Sequence, residues 1–188
     1  MPLVIGAKQE SGFDDPIGLL SDCHRRIERF LSTLLTIAVQ TQGAEMNGDQ
    51  RLALERALRY FRESAPRHTA DEEESLFPYL HRRTGLPASV SEQIASLEKD
   101  HEQATAYHDQ VDRIGYRWLT EGQLQTGDLQ TLTSALAALT HLYREHLAIE
   151  DTVIFPFAAQ VLSDSEKTAI GCEMAARRGL DPTTLKSR

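Results

Sequence analysis

The sequence has little of what builds strands, crosses membranes or staples a secreted fold. Clusters of strand-type residues are scarce, while Ala, Leu, Glu, Gln and Arg are plentiful, which points to helix. No apolar run approaches the ~20 residues that a membrane helix needs. The start, Met1-Pro2-Leu3-Val4-Ile5-Gly6, lacks a basic leader, and its apolar stretch is far too short for a secretory signal. Cysteine is nearly absent. Cys23 and Cys172 are the only two, which fits a reduced cytosol better than a disulfide framework and leads us to expect a cytoplasmic protein. Positive charge is in deficit too: 20 Lys and Arg stand against 28 Asp and Glu, for a net charge of -8. An acidic surface repels phosphate backbones, so nucleic acid is a poor partner, and nothing suggests a membrane.

What is present is helical periodicity. With 40% hydrophobic residues, the 188-residue chain has enough apolar material for a single domain with a real core. Asp15-Pro16 reads as a helix start, and Leu20, Ile27, Leu31, Leu34 and Ala38 carry an apolar stripe to about Gln40. A second helix begins near Asn47 or Asp49, and Pro66 should kink or split it. Ser89-Val90-Ser91-Glu92 reads as a capping box for a third helix. A fourth runs from about Asp128 to Val161. Ser163-Asp164-Ser165-Glu166, a further capping box, opens a short fifth helix. The expectation is an all-α fold, an up-down-up-down four-helix bundle over 15–161. An N-terminal arm over 1–14 would precede it, and a short helix and tail over 162–188 would follow.

One pattern occurs twice. His68-Thr69-Ala70-Asp71-Glu72-Glu73-Glu74-Ser75-Leu76-Phe77-Pro78 and His146-Leu147-Ala148-Ile149-Glu150-Asp151-Thr152-Val153-Ile154-Phe155-Pro156 share His, Ala two on, Glu four on, an acid next, an aliphatic, then Phe-Pro. Residues four apart lie on one helix face, so each copy aims an imidazole and a carboxylate at the same neighbour. The duplication extends further: His24 precedes His68 by 44 positions, and His101 precedes His146 by 45. Pairing the halves about a pseudo-twofold axis would gather His24, His68, His101, His146, Glu72 and Glu150.

Imidazole suits Fe, Zn, Cu and Ni, and carboxylate can bridge two ions. Two six-coordinate ions have about twelve positions. Four His, two bridging Glu and one bridging oxygen leave roughly two of them open, as a small diatomic ligand requires. A lone His-x-x-x-Glu is usually a surface pair; the matched repeat is what argues for a metal. Glu73, Glu74 and Asp151 follow the frame glutamates and read as solvated or supporting groups. Glu28, His108, Tyr107 and Tyr143 share faces with these histidines and are candidates for supporting contacts or an extra ligand. His141 should face away, and His81 should lie on the surface.

Asp22-Cys23-His24-Arg25-Arg26-Ile27-Glu28, Lys99-Asp100-His101-Glu102 and the two frames resemble the hemerythrin-like, or HHE cation-binding, family. The likeness spans roughly Asp15 to Val161. It implies a four-helix bundle holding two iron ions, a non-haem, oxo- or hydroxo-bridged di-iron centre. His24, His68, His101 and His146 would be terminal ligands, and Glu72 and Glu150 bridges. Oxygen-carrying members have a second His four residues after the third-helix ligand, where this chain has Thr105. The four-His, two-Glu set is closer to the di-iron domain of repair-of-iron-centres proteins. The implied function is binding or sensing of O2 or NO at an open position. Alternatives are iron donation or repair, NO or peroxide detoxification, or a structural zinc bundle, since zinc could fill the same ligands.

Overall fold

A computed structural model describes residues 10–181. Residues 1–9 and 182–188, with most of the expected arm and the tail, lie outside the described residues. Helices α1 (Pro16–Thr41), α2 (Gly48–Glu63), α5 (Ala88–Glu121) and α6 (Thr126–Ile149) form a ring in which α1 packs on α2 and α6, and α5 on α2 and α6. The arm of the ring begun by α2 continues through α3 (Ala65–Asp71), a π-helical turn (Glu72–Leu76) and α4 (Phe77–His81). That begun by α6 continues through a second π-helical turn (Glu150–Ile154) and α7 (Phe155–Val161). A last helix, α8 (Asp164–Arg177), packs on α1, α3 and the first π-turn. Among the described residues there is no strand, and no helix is long and apolar enough to cross a membrane.

The helix starts follow local chemistry. Asp15 Oδ1 accepts the Gly18 N–H at 3.1 Å, with Pro16 in the first turn where its missing N–H costs nothing. Asn47 with Gln50, and Ser163 with Glu166, form reciprocal capping boxes on α2 and α8. α2 stops at Glu63 and α3 restarts at Ala65, as Pro66 requires. The third helix departs from expectation. Its cap is Pro87, with no side-chain bond, and the helix begins at Ala88, so Ser89 lies inside the first turn and caps nothing. Pro87 already supplies the extended residue (φ -60, ψ 136), so the chain turns helical before Ser89 is reached.

The π-turns were not legible as such. Phe77 N–H bonds Glu72 O, and Phe155 N–H bonds Glu150 O, each five residues back. The signal is the proline after each Phe. Pro78 and Pro156 have no N–H for the carbonyl four residues back, and a widened turn absorbs the mismatch. The extra residue rotates the next helical segment by about 100°. Phe77 and Phe155 therefore return to the face of Glu72 and Glu150 and are buried there.

The core has two apolar parts. One gathers Ile27, Leu31, Leu34, Leu54, Phe61, Ile114, Trp118 and Leu136; the other gathers Leu20, Leu76, Phe77, Ile94, Leu97, Ile154 and Met174. On α1 the switch between parts falls between Leu20 and Ile27, and on α5 between Leu97 and Ala104. His24 and His101 stand at those switches, so a polar layer divides the apolar interior.

Candidate metal centre

That layer is dry. His24, His68, Glu72, His101, His146 and Glu150 are all buried, and both glutamates have zero relative exposure. α1 brings His24, α3 His68, α5 His101 and α6 His146, while Glu72 and Glu150 head the two π-turns. Glu72 spans the layer: Oε1 is 3.4 Å from His68 Nε2 and 3.9 Å from His24 Nε2, and Oε2 is 3.5 Å from His101 Nε2. Glu150 Oε2 lies between the halves, 3.2 Å from His24 Nε2 and 3.4 Å from His146 Nε2.

Two donor groups result. His24, His68, Glu72 and Glu150 each offer an atom within 4.8 Å of the others, and so do His101, His146 and Glu150. Each group takes its histidines from one half of the duplication.

The atoms facing inward lack partners. His24 Nε2 and both carboxylate oxygens of Glu72 and Glu150 are buried without a hydrogen bond. An unpaired buried polar atom costs ~1–3 kcal/mol. Lone pairs from imidazoles and carboxylates converging on one space are satisfied together by a bound cation, or by shared protons in its place, so the residues fit a metal.

The outward nitrogens are held differently. Glu73 Oε1 sits 2.8 Å from His101 Nδ1, Asp151 Oδ1 3.1 Å from His24 Nδ1, and Asp100 Oδ2 3.3 Å from His146 Nδ1. A carboxylate on Nδ1 fixes the tautomer and leaves Nε2 free to ligate. Neither His24 Nδ1 nor His68 Nδ1 has hydrogen-bond geometry, but His24 keeps the Asp151 ion-pair contact and His68 has no carboxylate on that side. Phe155 stacks on His24, with ring centroids 5.1 Å apart.

Protons divide the metal-free cluster. Burial, then the charge of Glu150, pushes the Glu72 carboxyl well above its usual range. Burial works against the charge on Glu150 as well, but His146 and His24 hold it below the carboxylate range. Burial also disfavours a proton on His24, yet Asp151, Glu150 and Glu72 outweigh it and push the imidazole up to about 12. His146 rises against burial because of Glu150 and Asp100. His68 falls well below its ordinary value through burial and the nearby charge of His24.

The remaining candidates lie outside both donor groups. Glu28 is exposed and lines a surface groove on the far side of Tyr143. Tyr107 is half-buried and packs on the core. His108 Nε2 meets the Tyr143 hydroxyl at 2.9 Å, and the Tyr143 ring lies 6.0 Å from that of His146. His81 and His141 are exposed. Of the supporting carboxylates, Asp100 was missed. It precedes His101 in sequence yet serves His146.

Known proteins place this arrangement. The chain is 27% identical over 180 residues to an uncharacterised protein of Haemophilus influenzae, covering 93% of this chain and 96% of that one. The profile described as the hemerythrin HHE cation binding domain matches residues 15–158, the whole four-helix ring with its buried His and Glu layer. The chain therefore belongs to the hemerythrin HHE cation-binding family.

Proposed function

We propose that the buried layer holds two iron ions and that the protein binds or senses a small diatomic ligand, O2 or NO, in the cytoplasm. The observation that carries this reading is the pairing of donor groups. Two histidines from each half point Nε2 at the oxygens of Glu72 and Glu150, with no other partner for those oxygens. When bound, such a metal pair supplies a coordination position at which a diatomic ligand can exchange electrons. The chain's own residues do the rest. Glu73, Asp100 and Asp151 orient three imidazoles, and Glu72 and Glu150 bring negative charge between the halves. The apolar groups around Leu76, Phe77 and Phe155 keep water from one side. The free thiols Cys23 and Cys172 fit a reducing compartment.

The test is metal analysis of protein purified without added metal, followed by optical spectra with and without O2 or NO. The expected content is about two metals per chain, mainly iron, with absorption bands that change on exposure to the gas. Zinc alone, or iron whose spectrum ignores both gases, rejects the reading. His68→Ala and His146→Ala are expected to lose most of the metal, whereas His81→Ala, at an exposed position, keeps it.

A further inference from the structure

A cavity of ≈ 340 Å³ lies between α2, α3, α5 and α6, and His101 and Tyr143 form part of its lining. Leu58, Phe61, Ala65, Ala104 and Val111 make its apolar walls. A water molecule occupies about 30 Å³ of liquid, so the space is on the order of ten waters, well beyond one diatomic molecule.

Two polar groups stand among these walls. His108 Nε2 is 2.9 Å from the Tyr143 hydroxyl, while His108 Nδ1 is buried without a partner. Phe61 stacks on the His108 ring, centroids 4.7 Å apart, and fixes its plane. Burial drives the His108 imidazole down to about 4, so it is neutral at physiological pH. A neutral imidazole has two arrangements here. If Nε2 accepts the phenol proton, Nδ1–H is a free donor. If Nε2–H donates to the phenol oxygen, the phenol proton is free. The second arrangement offers the phenol proton to an occupant, whereas in the first the donor is the enclosed Nδ1–H.

The rim sets the charge. Arg62 Nη2 pairs with Asp112 Oδ1 at 2.7 Å and ties α2 to α5, and the exposed Asp109 adds a second carboxylate. One cation and two anions leave this entrance negative, on a chain whose net charge is -8. Such an entrance slows anions and leaves neutral molecules alone.

Resting on the metal-site reading above, the geometry points to this cavity as the receiving chamber for a small uncharged ligand bound for the centre. The His108–Tyr143 pair is its hydrogen-bond partner, and the acidic rim is a filter against anions. The ligand class is neutral, small and acceptor-bearing, which includes NO and O2 and disfavours azide or nitrite.

The experiment uses metal-loaded protein, with metal content measured for each variant, and follows association of NO and of azide by stopped flow. Thr105, exposed on α5, also lines the cavity. Thr105→Trp fills that space and is expected to slow NO association by about tenfold or more at full metal content. Asp109→Lys reverses the sign of the rim charge. It is expected to raise the azide-to-NO rate ratio about threefold or more at low ionic strength. That gain should fade near 1 M salt, where the Debye length is about 3 Å. In the wild type, the stretching frequency of bound NO should shift in D2O, and the shift should vanish in His108→Phe and Tyr143→Phe. A loaded Thr105→Trp that binds NO at the wild-type rate overturns the chamber. If that variant loses metal, Asp109→Lys decides alone, being exposed, and an unchanged azide-to-NO ratio overturns the proposal. A D2O shift that survives both Phe substitutions overturns the role of the pair. Failure of the underlying reading looks different, because loaded wild-type protein would then bind neither probe.

Discussion

Glu73 and Glu74 are chemically identical neighbours with different partners. Glu73 Oε1 meets His101 Nδ1 at 2.8 Å, whereas Glu74 Oε2 reaches Arg177 Nε at 3.1 Å from a largely exposed side chain. Asp151 stands at the offset of Glu73 in the second frame and meets His24. Each acid thus crosses to a helix of the opposite half. Removing such a support costs about 10–100-fold in metal affinity, so Glu73→Gln and Asp151→Asn are expected to fall in that range. Glu74→Gln should change affinity by less than about twofold, as an exposed ion pair predicts. Competition against a chelator of known affinity measures all three, and equal losses would remove Glu73 from its assigned role. The two His–Glu pairs could be read in the sequence because a four-residue spacing maps directly onto one helix face, and it occurs twice; the fold brings both pairs into one buried layer. The contact of Asp100 with His146 could not be read, because it joins residues 46 apart on different helices. The duplication hides a break at the same place. Cys23 stands where the other half has Asp100, its thiol accepts from Arg26 Nη2 at 3.1 Å, and His68 Nδ1 is left without a partner.

Among the elements, α8 breaks the pseudo-symmetry most. Arg177 Nη1 and Arg178 Nη2 grip the two oxygens of Asp71 at 2.8 and 2.7 Å, and Arg177 Nη2 donates to Ser75 at 2.6 Å. Asp71 is fully buried, directly before Glu72, and the matching position in the second frame is Ile149. Tandem arginines at a helix end are ordinarily capping or solvated; only the packing of α8 on α3 gives these two a buried partner. Stripping both leaves an uncompensated carboxylate in the interior, which costs about 3–5 kcal/mol. With about 2–4 °C per kcal/mol for a chain of this size, Arg177→Ala with Arg178→Ala should lower Tm by roughly 10 °C. Adding Asp71→Ala to that pair should recover part of the loss, and calorimetry of the four combinations checks it. Gly171 is the second contact of the same helix. A Cβ there would come 1.9 Å from Phe13 O, a backbone atom that cannot swing aside, so Gly171→Ala must lift the chain near Phe13 off α8. The expected cost is about 1–3 kcal/mol, read as a lower Tm with metal content retained. Local chemistry gave most helix ends away, since a cap is a property of four residues. Ser89 misled because Pro87 could start the helix first, and the π-turns were hidden because hydrophobic spacing alone assumes an unbroken period.

The whole molecule is a bundle whose two apolar cores meet at a layer of ionisable groups, so its stability must follow both metal and pH. Consider first the metal-free chain above pH 6.5, the ordinary value of histidine. His24 is raised to about 12 and His146 is raised, so both hold protons when folded and release them when unfolded. Their stabilisation is full below 6.5 and is lost as pH climbs toward the folded values. Glu72, raised well above 4.5, acts in the same sense, because the folded chain keeps a proton that the unfolded one has shed. His68, His101 and His108 are lowered, so they are neutral when folded and add an opposing slope only until the unfolded imidazoles have shed their protons, about one pH unit above 6.5. The stripped protein should therefore lose Tm steadily from about pH 7.5 to 8.5. Metal binding runs the other way, since each ligand must give up its proton before it can donate a lone pair. Affinity rises with pH, and a metal at a thousand times its Kd adds about 4 kcal/mol to the folded state. The gap in Tm between loaded and stripped protein should thus widen across that interval, measured by scanning calorimetry before and after chelation. A gap that stays constant or narrows would mean that the buried imidazoles and carboxylates are not what the cation displaces protons from, and the assignment of the layer as the metal centre would fall with it.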